Sequence, residues 1–207
     1  MATEEPDLSG PVKQHLKKYL HQITTEIDHL LITIEDKDCC ILDEFEQVHG
    51  VFNNLHMTAS SYYLTAYLSP FTDSYQALST AIQHLSERKH GALIAVQRKE
   101  PLSSLMHSGI PVGGSVSYAL LESVFYPGSP LHDGAVLIED NSIISAGNVL
   151  PLSRQTTGRE NFGTRHRAAI GLSERSDALV LVVSEETGRV SFALEGKLYP
   201  VHQSGLI

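Results

Sequence analysis

Cysteine is almost missing from this chain of 207 residues: there are two, Cys39 and Cys40, side by side. Neighbouring cysteines rarely bridge each other and cannot build a disulfide framework, so the chain reads as a reduced, cytoplasmic protein. Positive charge is scarce too. Fifteen Lys and Arg stand against 24 Asp and Glu, a formal net charge of −9, which argues against a nucleic-acid-coating surface. Long apolar runs are lacking. The longest, such as Ala178 to Val183, are far too short to span a bilayer, so no membrane partner is expected. The N-terminal stretch to Asp7 is acidic and has no apolar core, so no secretory signal is expected. There is no zinc-ligand spacing, no Walker loop and no nucleophile elbow.

What is present describes a soluble globular protein. Hydrophobic residues make up 42% and charged residues 19%, and the length allows one full domain plus an appendage. The charge is uneven. Residues 1–68 hold 11 acids and 4 bases, whereas between Arg154 and Arg175 five bases meet two acids. All five are arginine, whose planar fork grips phosphate oxygens in pairs.

Apolar residues from Val12 through Leu16, Leu20, Ile23, Ile27 and Leu30 to Ile34 recur every three to four positions and predict a long amphipathic helix. Glu35-Asp36-Lys37-Asp38 breaks it. A second series, Ile41, Phe45, Val48, Phe52, Leu55, Ala59, Tyr62 and Ala66, has the coiled-coil period of 3.5. Gly50 and Asn53-Asn54 weaken its later part. Together they predict an antiparallel two-helix hairpin over residues 1–68. Two helices bury little alone, so the hairpin serves either as a stabilising cap or as an oligomerisation or regulatory element.

The main domain, residues 69–207, opens with Asp73 and Gln76 spaced as a capping box. A helix with a stripe at Tyr75, Leu78, Ile82 and Leu85 follows. Arg88-Lys89-His90-Gly91 is its stop signal, with Gly91 as the cap. Strands are expected at Ala92–Val96, Ala135–Ile138, Ile143–Leu150, Ala178–Val183 and Val190–Leu194, and helices at Ser117–Phe125 and Thr164–Arg175. Ser86-Glu87-Arg88 and Ser173-Glu174-Arg175 each precede a buried strand at the same offset, a repeated helix-to-strand joint. The pattern gives an α/β domain with a mixed β-sheet flanked by helices.

Three strings carry chemistry. His132-Asp133-Gly134-Ala135 follows a turn-rich loop and opens a strand. Its carboxylate can bind a metal or take a proton from a hydroxyl, His132 can ligate through a ring nitrogen, Gly134 lets backbone approach a ligand, and Ala135 keeps the floor low. Gly163-Thr164-Arg165-His166-Arg167 starts a helix, with Thr164 as its expected N-cap. First-turn N–H groups, the helix dipole and two arginines all favour an anion there. Arg165 and Arg167 lie two apart and point to different sides, so one can clamp phosphate while the other braces the helix. Ser184-Glu185-Glu186-Thr187-Gly188 ends an apolar strand with a hydroxyl and two acids. Taken singly, each string is also an ordinary turn or capped helix.

In combination and order these strings, together with Leu131, Ala168 and Ala169, resemble the diadenylate cyclase (DAC) family over roughly Asp73 to Pro200. With the helical N-terminus and no membrane span, the chain is similar to the family's sporulation-type branch. The resemblance implies a mixed-sheet α/β fold and condensation of two ATP into cyclic di-AMP with loss of two pyrophosphates, dependent on Mg²⁺ or Mn²⁺. It implies that Asp133 acts at the attacking 3′-hydroxyl near the metal, with His132 as a metal ligand. Gly134 and Ala135 would lie against the nucleotide, and Leu150 would line the adenine pocket. Thr164, Arg165, His166 and Arg167 would hold phosphates and shape that pocket, with Arg165 and Arg167 sharing in catalysis. Ser184 would touch phosphate, and Glu185 and Glu186 would lie near the ribose or metal. Two departures stand out: Val149 where some members carry tyrosine, and Phe162 where leucine is usual. Two equivalent attacks require two half-sites related by a two-fold axis, so the expected partner besides ATP is a second copy, face to face. The rival readings are a silent adenine-nucleotide sensor and a metal-dependent phosphohydrolase.

Overall fold

The computed structural model describes residues 9–34, 41–154 and 163–202. Cys39, Cys40, Phe162 and the acidic break at Glu35–Asp38 lie outside the described residues. The chain divides into two compact units, Met1–Tyr63 and Leu64–Ile207.

The first unit holds α1 (Gly10–Thr33) and most of α2 (Ile41–Leu68). Pro11 sits in the first turn of α1, where its missing N–H costs nothing. The helices run antiparallel: the Ser9 N–H donates to the Tyr62 hydroxyl at 3.1 Å, and at the other end His29 Nδ1 lies 3.5 Å from Glu44 Oε2. Helix α2 runs unbroken through Gly50, beside which a Cβ would meet nothing within 4 Å. The division falls slightly before the 68/69 boundary expected from sequence. Leu64 and Leu68, in the last turns of α2, are fully buried in the second unit's core.

The second unit adds α3 (Tyr75–Glu87), β1 (Ala92–Val96), β2 (Ile110–Ser115), α4 (Tyr118–Val124), β3 (Ala135–Glu139), β4 (Ser142–Asn148), α5 (Thr164–Ser173), β5 (Leu179–Val183), β6 (Val190–Leu194) and β7 (Lys197–Val201). The strands form one sheet in the order β2-β4-β3-β1-β5-β6-β7. Only β1 and β3 pair in parallel, so the sheet is mixed.

Both faces of its centre are covered. On β1, Ile94 and Val96 face Leu78, Ile82, Leu85 and Leu121 of α3 and α4, while Leu93 and Ala95 join Ala168, Ala169 and Leu172 of α5. This is why β1 and β5 read as unbroken apolar runs rather than alternating ones. The small residues of α5 let it lie close to the sheet.

Three local expectations change. Helix α3 begins after Ser74 with no side-chain cap; Asp73 instead donates its N–H to Asn141 Oδ1 at 2.9 Å. Its C-terminus closes with Lys89 in the left-handed region (φ 54°), not with Gly91. The His90 N–H donates to Leu85 O and the Lys89 N–H to Ser86 O, the paired bonds of a Schellman motif. Helix α5 is capped by Gly163, so Thr164 is its first helical residue rather than its N-cap.

Candidate active site

The mixed sheet brings the three strings to one edge. Because β5 runs antiparallel to β1, Ala92 pairs with Val183. Because β3 runs parallel to β1 and antiparallel to β4, Ala135 pairs with Asn148 on the same side. So the residues entering β1 and β3 (Gly91; Asp133 and Gly134) and those leaving β4 and β5 (Val149 and Leu150; Ser184 and Glu185) share one rim.

Helix α5 reaches this rim through Arg165. Its Nη1 donates to Glu185 Oε2 at 2.7 Å. That hydrogen bond, and the guanidinium charge behind it, hold the Glu185 carboxyl below the usual carboxylate range despite some desolvation, and His132 pulls the same way. His132, Arg165 and Glu185 are therefore electrostatic neighbours although far apart in sequence. With side-chain exposures of 24% and 66%, the ion pair is worth only about 0–1 kcal/mol. An incoming anion can exchange for it at little cost. Gly91 explains itself here: a Cβ on it would lie 2.7 Å from Arg165 Cζ and 3.0 Å from Glu185 Cβ.

Asp133 is exposed, and its side chain makes no hydrogen bond or ion pair among the described residues. Its position is set by backbone. Gly134 adopts φ 136°, and a Cβ there would stand 2.6 Å from Gly147 C and 2.9 Å from Asn148 O. Gly147 (φ 68°) marks a register shift in β4 opposite Ala135. The buried Asn148 side chain donates to Ala135 O at 2.8 Å and ties the two strands there. His132 Nδ1 donates to Ser129 O at 2.5 Å. A carbonyl can only accept, so Nδ1 carries the proton and Nε2 keeps its lone pair in the neutral ring.

At α5 the Gly163 N-cap makes no side-chain cap hydrogen bond, and a helix start favours an anion through its dipole and first-turn N–H groups. Arg167 is exposed, and its Nη2 donates to Ser153 O at 3.4 Å. His166 is half-buried. Leu150 is 6% exposed and sits in the core cluster under α5, whereas its neighbours Val149 and Leu152 are 59% and 43% exposed. Ser184 Oγ accepts from the Thr187 N–H at 3.3 Å, which leaves the hydroxyl proton free to donate. Glu186 is exposed in that turn. The turn itself is anchored by Ser86, whose Oγ donates to Gly188 O at 2.6 Å. Gly91, Gly147, Asn148 and Ser86 were not singled out in the sequence as parts of the site. Their roles depend on contacts between distant segments, which residue type alone does not signal.

Among the described residues no cluster of three or more His, Cys, Asp or Glu could hold a metal by itself. A carboxylate and an imidazole with a free Nε2 suit a divalent cation whose other ligands come from a bound anion and water. His132 and Asp133 thus fit such an ion.

The family model described as "DisA bacterial checkpoint controller nucleotide-binding", the DAC domain, matches residues 79–198, and the model of the N-terminal region of the diadenylate cyclase CdaS matches residues 3–71. The chain belongs to the diadenylate cyclase family. Among curated family members, the diadenylate cyclase CdaS of Bacillus thuringiensis is 52% identical over 94% of this chain and 96% of its own length. The cyclic di-AMP synthase CdaS of Bacillus subtilis is 46% identical over 91% of each. A crystal structure from Bacillus cereus, titled as a hypothetical membrane-spanning protein, superposes with a TM-score of 0.78 at 51% identity, covering 93% of this chain and 94% of that one. No described helix here is long and apolar enough to cross a membrane. DacA from Staphylococcus aureus shares the diadenylate cyclase fold at a TM-score of 0.60 and 42% identity, over 62% of this chain and 87% of that one.

Proposed function

We propose that the chain condenses two ATP into cyclic di-AMP, releasing two pyrophosphates, at the rim where Asp133, Arg165 and the start of α5 meet. That convergence is the observation that carries the reading. In each half-reaction a 3′-hydroxyl oxygen bonds to the α-phosphorus of the other ATP, and the bond to pyrophosphate breaks in line. Asp133, free of other partners, faces the attacking hydroxyl and takes its proton. Arg165 leaves Glu185 for phosphate, Ser184 donates its hydroxyl, and the first-turn N–H groups of α5 help neutralise the charge that develops. Mg²⁺ or Mn²⁺ held by His132 and Asp133 would supply Lewis acidity at the phosphates. Leu150, Gly134 and Ala135 bound the nucleotide, and Glu186 lies toward the ribose or metal.

One rim offers one Asp133 and one phosphate cradle. Cyclisation needs the same attack twice, so two copies meet face to face about a two-fold axis. Specific activity should accordingly fall on dilution.

The test is incubation with ATP and Mg²⁺ or Mn²⁺ followed by product identification. Cyclic di-AMP with two pyrophosphates per product is expected. Bound ATP without pyrophosphate would point to a nucleotide sensor, and AMP to a phosphohydrolase. Asp133→Asn should lower the rate by about 10²–10⁴. A normal rate in that variant would remove the role given to Asp133.

A further inference from the structure

Helix α5 carries a second set of contacts besides the Arg165–Glu185 pair. The segment after Leu150 lies flat against it. Gly171 makes the room: a Cβ there would sit 2.7 Å from Leu152 C, and closer still to Pro151 O. Both are main-chain atoms that cannot swing aside.

Ser153 is where the segment is fastened. It is 1% exposed. Its N–H donates to Arg167 O at 3.0 Å, its hydroxyl donates to Glu174 Oε1 at 2.6 Å, and its carbonyl accepts from Arg167 Nη2 at 3.4 Å. One buried residue thus touches the backbone and the guanidinium of the same arginine, and a carboxylate two turns further along the helix. The bond to Glu174 is charge-assisted and the stronger one. The longer bond to Arg167 orients more than it holds. Arg165 has its own brace in Glu185, so each arginine of the pair is held by a different neighbour.

We propose that Ser153 is a positioning residue for the cyclase reaction. Held by Glu174, it aims Arg167 at the outer phosphates of ATP. This rests on the function proposed above. The coupling gives Ser153 and Glu174 a specific signature. Loss of either should weaken recognition of the β- and γ-phosphates and leave recognition of the adenosine monophosphate part unchanged.

The experiment uses the full chain as Ser153→Ala, Glu174→Ala, Glu174→Gln and the double alanine variant. For each, kcat and KM for ATP are measured beside the inhibition constant of AMP, which lacks the outer phosphates. Both single alanine variants should raise KM for ATP about tenfold with the AMP constant within about twofold. The double variant should be no worse than either single one, because both break one linkage. Glu174→Gln, which keeps the acceptor oxygen, should stay near wild type. Equal weakening of ATP and AMP, or additive losses in the double variant, would reduce Ser153 to a structural residue and overturn the proposal. Glu174 is exposed, so its variants decide the matter even if Ser153→Ala folds poorly. Cyclic di-AMP production by wild type in the same series separates failure of this linkage from failure of the functional reading.

Discussion

Gly134→Ala tests the backbone logic of the site most directly. Gly134 has φ 136°, a conformation that side chains rarely adopt, and forcing alanine into it costs about 1–3 kcal/mol. The new Cβ would also meet Gly147 C at 2.6 Å, Gly147 Cα at 2.8 Å and Asn148 O at 2.9 Å. All belong to β4 backbone. Reaching an ordinary 3.4 Å contact needs a shift of about 0.8 Å, and overpacking of this kind adds about 1–3 kcal/mol. Alanine returns about 0.4–1 kcal/mol by stiffening the unfolded chain. The net loss is therefore about 2–5 kcal/mol, or roughly 5–15 °C in melting temperature for a chain of this size. Asp133 precedes the displaced residue, and a misplacement near 1 Å costs about 10²-fold in rate. Thermal unfolding and cyclase rate should be measured beside Gly113→Ala. Gly113 also has positive φ (67°), but nothing lies within 4 Å of its Cβ position, so only strain of about 1–2 kcal/mol is expected there. If Gly134→Ala is no less stable than Gly113→Ala, or keeps the full rate, close approach of β3 and β4 is not what fixes Asp133.

Other outcomes follow from the same geometry. Gly91→Ala should keep the fold, since the group it meets first is the flexible end of Arg165, but should raise KM for ATP about tenfold by displacing that arginine; an unchanged KM would remove Arg165 from the cradle. Burial raises the Glu122 carboxyl, but hydrogen bonds from His84 and Arg88, each 2.6 Å, outweigh it and leave the group below the usual range. A lowered folded pKa stabilises above the unfolded value and is lost as pH falls through the folded one. The melting temperature of Glu122→Gln should therefore fall less on acidification than that of wild type, and parallel curves would contradict this. Chelation should abolish turnover, and Mg²⁺ or Mn²⁺ should restore it. Metal without nucleotide should move the melting temperature by less than about 1 °C, because no three-donor cluster exists among the described residues; a large shift would reveal a resident metal site.

Periodicity and composition carried much of the fold. The heptad spacing of α2 outweighed Gly50 and Asn53-Asn54, and the apolar runs of β1 and β5 announced strands covered on both faces. Strands β2 and β7 were not legible. Ile-Pro-Val-Gly-Gly-Ser lacks strand propensity, and Lys197–Val201 contains Pro200; both lie at the sheet's edges, where the ladder tolerates such residues. Gly91 looked like a helix cap and proved to be the space beneath Arg165, while Lys89 took the left-handed turn. The strings around Asp133, Arg165 and Ser184 were visible as chemistry because residue type alone sets what a carboxylate, guanidinium or hydroxyl can do. Which of them meet was a matter of strand direction. The parallel pairing of β1 with β3 and the antiparallel pairing of β1 with β5 bring an entering strand and a leaving strand to one rim. Sequence by itself determined the functional groups and the elements that carry them. Tertiary structure decided their register and their braces, because those depend on backbone contacts between residues that have no neighbourhood along the chain.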